Sequence, residues 1–342
     1  MTAKLNWGIL ATGMIARKFA TDLPGSRTGR LVAVGSRTRE AAEKFAADFS
    51  GVRAHGSYEA LLADPEVQAV YIAPPHPQHL EWTLRAAAAG KHILCEKPLA
   101  LNRTDAGRMI DAARQHSVFL MEAFMYRCHP QTARLAELVC NGAIGELRVI
   151  QATFSVNFPF DPAHRLYNKA LGGGGILDLG CYPVSFSRRM AGAALGRIFA
   201  EPLEFRGGGR LNAVTGVDEY AAATAVYPGG ITAQLACGMC AGQDIQARLH
   251  GTAGWIDVPV PFFPGLEGRA DRIFLHRPGA KAPEEIIFAG GIGLYGQEAD
   301  IVAEAVARGE MEAPNMSHAD TLGNLAALDQ WRRQLGVRYT GE

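Results

Sequence analysis

Two rhythms of apolar and polar residues alternate over the first 120 residues of the chain. Short apolar runs, LNWGILA from Leu5, RLVAVGS from Arg30, VQAVYIA from Val67, KHILCE from Lys91 and VFLMEA from Val118, predict buried strands. Between them lie helix-like segments: GMIARKFATDL, TREAAEKFAADF with its Ala/Phe stripe, the short YEALLADP, PQHLEWTLRAAAAG closed by Gly90, and NRTDAGRMIDAARQH with a capping Asn/Thr start. Strand, helix and strand repeated in this way predict parallel pairing with helices on both faces, and ligands at the carboxyl ends of the strands.

The rhythm changes near residue 124. LRVIQATFSVNF, EYAAATAVY, GITAQLACGM and DIQARLHGTAGWIDV alternate or are rich in β-formers, with glycine-rich turns between them, and predict a mostly antiparallel sheet. Helices are expected near HPQTARLAELV and CYPVSFSRRMAG, and a final pair at about 296–308 and 317–335. The fold class is α/β. A doubly wound parallel sheet spans residues 1–123, and an α+β domain spans 124–342, with the last helices free to pack back on the first domain.

Composition narrows the function classes. The chain has 342 residues, 48% of them hydrophobic, and 34 basic against 34 acidic side chains give no net charge. Nothing there points to nucleic acid or a membrane surface, and no apolar run is long enough to span a bilayer. MTAKLNWGIL lacks a signal-type apolar region, which with the scattered cysteines (95, 128, 140, 181, 237, 240) reads as a cytoplasmic protein with free thiols.

Several motifs carry chemistry. GILATGMIA, residues 8–16, sits where a strand gives way to a helix, at the place of a dinucleotide fingerprint. Gly13 permits close backbone approach to a pyrophosphate and Ala16 permits tight packing. Ala11 stands where glycine is usual, which is tolerable if its φ stays negative. The next strand ends in Ser36 and Arg37, with Arg39 close by, instead of an acid. An arginine there suits a 2′-phosphate and so NADP, although an ordinary loop arginine reads the same way. KHILCEKPLA places Glu96 and Lys97 at the tip of a buried strand that Pro98 ends, as a solvated strand end also would. In YIAPPHPQH, His76 and His79 have no third ligand nearby, so no metal is expected. The lone CGMC likewise lacks a second pair. GGGGILDLGCYPV, residues 172–184, lets the backbone approach something closely and sets Asp178 and Tyr182 four apart, on one face if helical. A dipole-capping Asp and a packing Tyr would look the same.

Together, the Ala-Thr-Gly turn, Glu-Lys-Pro at the fifth strand and the D-x-G-x-Y segment resemble the Gfo/Idh/MocA oxidoreductases over nearly the whole chain. WGILATG, SRT, PHPQH, EAFMYRCHPQ and a tyrosine at 182 are most similar to the branch with dimeric dihydrodiol dehydrogenase and NADP-dependent D-xylose dehydrogenase. The resemblance implies a Rossmann domain followed by an open-faced sheet that serves as a homodimer or homotetramer interface, and a cis Lys97-Pro98 bond. It implies a cofactor, NADP with NAD possible, met by Ala11, Thr12, Gly13, Met14 and Ile15 at the first turn. Ser36, Arg37 and Ala73, then His76, His79, Glu96, Lys97 and Arg127, complete that set. Lys97, Asp178 and Tyr182 would converge as catalytic residues, and with Phe154 would meet a small-molecule substrate.

Removing a hydride from a secondary alcohol also requires removing its hydroxyl proton, and the reverse reduction needs an acid. Tyr182 is assigned as acid/base, with the Lys97 ammonium expected to lower its pKa and Asp178 to orient both. The expected activity is NADP-dependent hydride transfer on a sugar, cyclic polyol or trans-dihydrodiol-like compound. Two alternatives stay open: redox-neutral glycoside hydrolysis or elimination with a recycled NAD(P), and a non-catalytic nucleotide sensor.

Overall fold

The structure, a computed structural model, describes residues 4–339. The first three and last three residues, which open MTAKLNWGIL and bound the two expected domains, lie outside the described residues.

Six strands make the first sheet: β1 (Leu5–Leu10), β2 (Gly29–Gly35), β3 (Arg53–His55), β4 (Ala69–Ile72), β5 (His92–Glu96) and β6 (Leu120–Ala123). All pair in parallel, in the order β3-β2-β1-β4-β5-β6. Every residue of β4 and β6 is buried, the signature of strands covered on both faces. Helices α1 (Met14–Asp22), α2 (Arg39–Ala46), α3 (Tyr58–Leu62), α4 (His79–Ala88) and α5 (Arg103–Gln115) supply that cover. The order reverses between β1 and β4, so the connections leave a crevice at the carboxyl ends of these two strands. Thr38, Ser57 and Asn102 cap α2, α3 and α5 by accepting a backbone N–H. Helix α1, which opens at the crevice, has no side-chain cap.

After α6 (Pro130–Cys140) and β7 (Leu147–Ser155), the chain forms α7 (Cys181–Ala194). It then forms β8 (Glu204–Leu211), β9 (Asp218–Tyr227), β10 (Ile231–Gly238), β11 (Gln246–Gly251), β12 (Gly254–Val258), β13 (Asp271–His276) and β14 (Glu284–Phe288). With β7 these strands make one sheet, ordered β14-β13-β12-β11-β7-β10-β9-β8. It is antiparallel except where β7 and β10 run together. In β9 and β10, Ala221, Ala223, Ala225, Ile231, Ala233 and Leu235 are buried, while Thr224 and Gln234 face out. That period of two leaves one face of the sheet uncovered.

Helices α8 (Leu294–Ala307) and α9 (His318–Leu335) follow, α8 packing on α1 and α9 on α5, α7 and β8. Among the described residues no helix is long and apolar enough to cross a membrane.

Candidate active site

The crevice begins at the end of β1. Ala11 donates its N–H to the Gly35 carbonyl, and Ala73 donates to that of Leu10, so three strand ends are laced together. Thr12 Oγ1 and Ser36 Oγ lie 3.3 Å apart across the same ends. Ala11 has φ +91°, against the negative value expected of a non-glycine residue here. It takes a glycine's conformation because the strand must turn abruptly into α1, at a cost of about 1–3 kcal/mol. Gly13 follows with extended backbone, φ −74° and ψ −178°. A Cβ added to Gly13 would meet nothing within 4 Å. Open space in front of uncapped helix N–H groups fits a dinucleotide pyrophosphate. Met14, 70% exposed, borders the same space. Arg37 is exposed at the end of β2 beside buried Ser36, with no acid at that strand end.

The other side of the cleft rises from β5. Glu96 is buried and accepts a hydrogen bond from Tyr71 Oη. The Lys97-Pro98 bond is cis. Lys97 Nζ donates to the Asp178 backbone carbonyl at 2.9 Å and lies 3.7 Å from the Asp178 carboxylate. Asp178 sits inside a five-residue π-helical turn, Ile176–Gly180, directly ahead of α7. The wider turn replaces the simple helical face read from the sequence, and such turns recur at functional sites. The glycines before it approach the chain itself: a Cβ on Gly173 would meet the Arg165 and Leu166 carbonyls at 2.5 and 2.6 Å, and one on Gly174 the Asp218 carboxylate.

Tyr182 stands in an aromatic wall, its ring centroid 5.1 Å from Phe154 and 5.4 Å from Phe124 and Phe262. Its hydroxyl has Met125 Sδ at 3.6 Å as a weak partner. Lys97 Nζ lies 4.8 Å from the ring centroid, over the face of the ring. The expected lowering of the tyrosine pKa is therefore overturned: burial, followed by Tyr295 and Glu96, pushes the phenol well above its usual value. Burial would also raise the Asp178 carboxyl, but Lys97, Arg165 and His76 outweigh it and hold it well below the usual range. Burial pulls Lys97 down, and Asp178, Cys181 and Glu96 more than compensate, so it stays an ammonium. Burial drives His76 to about 3. Its Nδ1 faces the Gly172 carbonyl at 3.2 Å and so carries the proton, leaving Nε2 as an acceptor 3.7 Å from Asp178.

The structure brings Gly13, Met14, Ile15, Ala73, His76, His79, Glu96, Lys97, Phe154, Asp178 and Tyr182 around one cleft of about 420 Å³. Ala11, Thr12, Ser36 and Arg37 follow the ends of β1 and β2 and are not among the residues that line this cleft. His79 turns both ring nitrogens to backbone carbonyls, of Pro74 at 2.9 Å and of Pro98 at 3.1 Å, and as a neutral ring, burial lowering it to about 4, it donates to one of them. Arg127 departs from the expectation altogether. The turn Met125–Cys128 points Met125 into the cleft and sends Arg127 the other way, into a buried ion pair with Asp320 at 2.6 Å. Its charge is satisfied inside the protein, not at the cofactor. Arg165, Phe158, Phe263 and Tyr295 also line the cleft and were not anticipated. They lie in irregular loops or on a late helix, where no periodicity or spacing marks them.

A broader hollow of about 700 Å³ lies on the open face of the second sheet, lined by Gln151, Thr153, Gln234 and Arg248 among others, without an acid/base cluster. Among the described residues, no group of three or more His, Cys, Asp or Glu side chains is placed to hold a metal ion.

Residues 5–124 match the family described as an oxidoreductase family with an NAD-binding Rossmann fold, and residues 132–257 match the GFO/IDH/MocA C-terminal domain. The trans-1,2-dihydrobenzene-1,2-diol dehydrogenase of Mus musculus is 35% identical over 339 residues, 98% of each chain. Among solved structures, a 3-ketoreductase from Actinomadura kijaniata in complex with NADP and TDP-benzene is 30% identical, with a TM-score of 0.85 over 97% of this chain and 98% of that one. An aldose-aldose oxidoreductase from Caulobacter crescentus, complexed with glycerol, is 25% identical, with a TM-score of 0.86 over 97% of each.

Proposed function

The chain belongs to the Gfo/Idh/MocA family and is an NAD(P)-dependent oxidoreductase, and from there we propose that it moves a hydride between NADP and a secondary alcohol or carbonyl of a sugar, cyclic polyol or trans-dihydrodiol-like compound. The observation that carries this reading is the meeting of Lys97, Asp178 and Tyr182, from segments 81 residues apart in sequence, at the crevice beyond the β1 and β4 ends. The names of the mouse and Actinomadura relatives support the substrate class.

When bound, the nicotinamide supplies or accepts the hydride. The chain's own residues handle the proton and the charge. A phenol held protonated by burial is suited to give a proton, so Tyr182 acts as the acid toward a carbonyl oxygen in the reducing direction. Lys97 faces the charge that develops on that oxygen. The bare Nε2 of His76 accepts a neighbouring substrate hydroxyl. Phe154, Phe158 and Phe263 exclude water and cover an apolar ring face. In the oxidising direction Tyr182 must first release its proton, so that rate rises with pH while reduction does not. Arg37, with Ser36 in place of an acid, favours the 2′-phosphate.

On this reading residues 1–123 hold the dinucleotide, and residues 124–342 hold the substrate and assemble a cytoplasmic homodimer or homotetramer through the open sheet face. The test is absorbance at 340 nm with NADP⁺ or NADPH across pentoses, hexoses, cyclic diols and 1,2-dicarbonyls. Steady turnover with one class supports the reading and names the substrate, while tight NADPH binding with no net turnover sinks it. Tyr182→Phe should cut kcat by roughly 10²–10⁴-fold with NADPH affinity unchanged.

A further inference from the structure

Between β7 and the glycine run, residues 156–171 cross the mouth of the cleft with no regular structure until the turn Lys169–Leu171. The segment is nonetheless held in shape. Phe158 stacks on His164 with centroids 5.6 Å apart, Phe160 meets Tyr167 edge-on at 5.1 Å, and Tyr167 Oη donates to the Phe158 carbonyl at 3.0 Å. Val156, Phe158, Arg165 and Leu171 from this strap line the cleft.

Of the segment's two cations, Arg165 and Lys169, Arg165 lines the cleft, and its fork closes on Asp178. Nη1 and Nη2 donate to the two carboxylate oxygens of Asp178 at 2.9 and 3.2 Å. The carboxylate is almost wholly buried, whereas the Arg165 side chain keeps 46% exposure. Lys97 is correspondingly left with the Asp178 backbone carbonyl at 2.9 Å, while the carboxylate stays 3.7 Å away.

Two acids, Glu96 and Asp178, face the one ammonium in this part of the cleft. His76 is neutral there, and Cys181 and Tyr182 carry their protons. An ammonium bonded directly to a carboxylate has little field left for a negative charge developing on a substrate oxygen. A second cation that takes both oxygens of one acid removes that competition. Bidentate guanidinium binding does so with fixed geometry, which a lysine cannot reproduce.

We propose that Arg165 is a positioning residue for hydride transfer: by holding both oxygens of Asp178 it keeps the Lys97 ammonium off that carboxylate and turned toward the reacting oxygen. This rests on the hydride-transfer reading above. It also makes docking of the 156–171 strap a condition of an active site, because the strap delivers the second cation.

Arg165→Ala and Arg165→Lys test it, each studied with NADPH bound. In Arg165→Ala, kcat should fall roughly 10–100-fold with NADPH affinity within about threefold of wild type. The basic limb of the kcat–pH profile should move up, because a cation that opposes the Lys97 charge has gone. Guanidinium ion, and not methylammonium, should restore a substantial part of the lost rate. Arg165→Lys should lie between the two, since it keeps charge without the fork. Acylation of Lys97 by acetic anhydride, followed by mass spectrometry, should be slower in Arg165→Ala than in wild type at the same pH. A kcat within about twofold of wild type would overturn the proposal. So would a loss that guanidinium does not relieve in a variant that binds NADPH normally, or unchanged Lys97 acylation. If wild type itself turned over no carbonyl substrate, the functional reading would fail while Lys97 acylation still decided the role of Arg165.

Discussion

At Gly13 an added methyl would enter open space, with no atom within 4 Å, whereas at Gly174 it would run into the Asp218 carboxylate. Gly174 also holds φ +125°, a conformation that L side chains rarely adopt, while Gly13 is ordinary extended backbone. Both glycines serve one cleft for opposite reasons. The first leaves room for another molecule. The second lets the chain pack on itself so that Asp178 and Tyr182 end up where they are. A glycine-rich run therefore does not by itself mark a ligand, and the space a side chain would meet separates the two cases.

The contrast can be broken most severely at Gly174. Gly174→Ala should cost about 3–4 kcal/mol, from strain and from the collision with Asp218, read as a fall in Tm. An unchanged Tm would mean that the segment relaxes freely and that the contrast is unsound. Next comes Asp218 itself. It accepts the Ile176 N–H at 2.5 Å, and burial raises its carboxyl to about 6. Because the folded value exceeds the unfolded one, the native state binds the extra proton, and stability falls as pH climbs from about 4 through about 6. Asp218→Asn should flatten that slope, a difference of up to about 3 kcal/mol above the window, measured by urea unfolding across pH. At Gly13 the expected outcome inverts. Gly13→Val should leave the unfolding free energy of the ligand-free protein within about 0.5 kcal/mol and weaken NADPH roughly 10–100-fold in a fluorescence titration. The smallest effect belongs to Ala11→Gly. Relief of the positive φ is offset by a looser unfolded chain, so Tm should hold or rise by the equivalent of about 1 kcal/mol at most. A clear loss would show that the Ala11 methyl has a packing role that outweighs its strain.

Much of the first sheet was legible because its strands are covered on both faces and read as unbroken apolar runs; AVYI and LMEA needed no tertiary information. The edge strands of the second sheet were not. EFRGGGRL in β8 and EEIIF in β14 carry glycines or charges and bury little, since one face meets solvent and one edge has no neighbour. In the cleft, the meeting of Lys97, Asp178 and Tyr182 was legible only through the family resemblance that their short motifs carry together, since each motif alone also reads as a solvated strand end or a capped helix start. Arg165 was not, since its meaning lies in a carboxylate 13 residues away across an irregular loop. Arg127 was misread for the converse reason. It follows a strand that ends at the crevice, yet one turn of backbone directs it into the interior against Asp320. The direction of the Tyr182 shift is set first by burial, which depends on how completely the surrounding aromatic wall closes and is not encoded in spacing along the chain.

Behind the cleft, Tyr339 donates its hydroxyl to the Gly173 carbonyl at 2.6 Å, and Arg332 reaches the Leu101 carbonyl at 3.0 Å. During synthesis this has a temporal meaning. The parallel sheet is complete in sequence once Ala123 is made, but Tyr339, which holds the Gly173 carbonyl, lies 216 positions later. At about 5–20 residues per second, the ribosome needs roughly 10–40 s to cover that distance. Throughout that interval the nascent chain has every strand of its first sheet and lacks the Tyr339 hydroxyl that holds the Gly173 carbonyl, five residues ahead of Asp178.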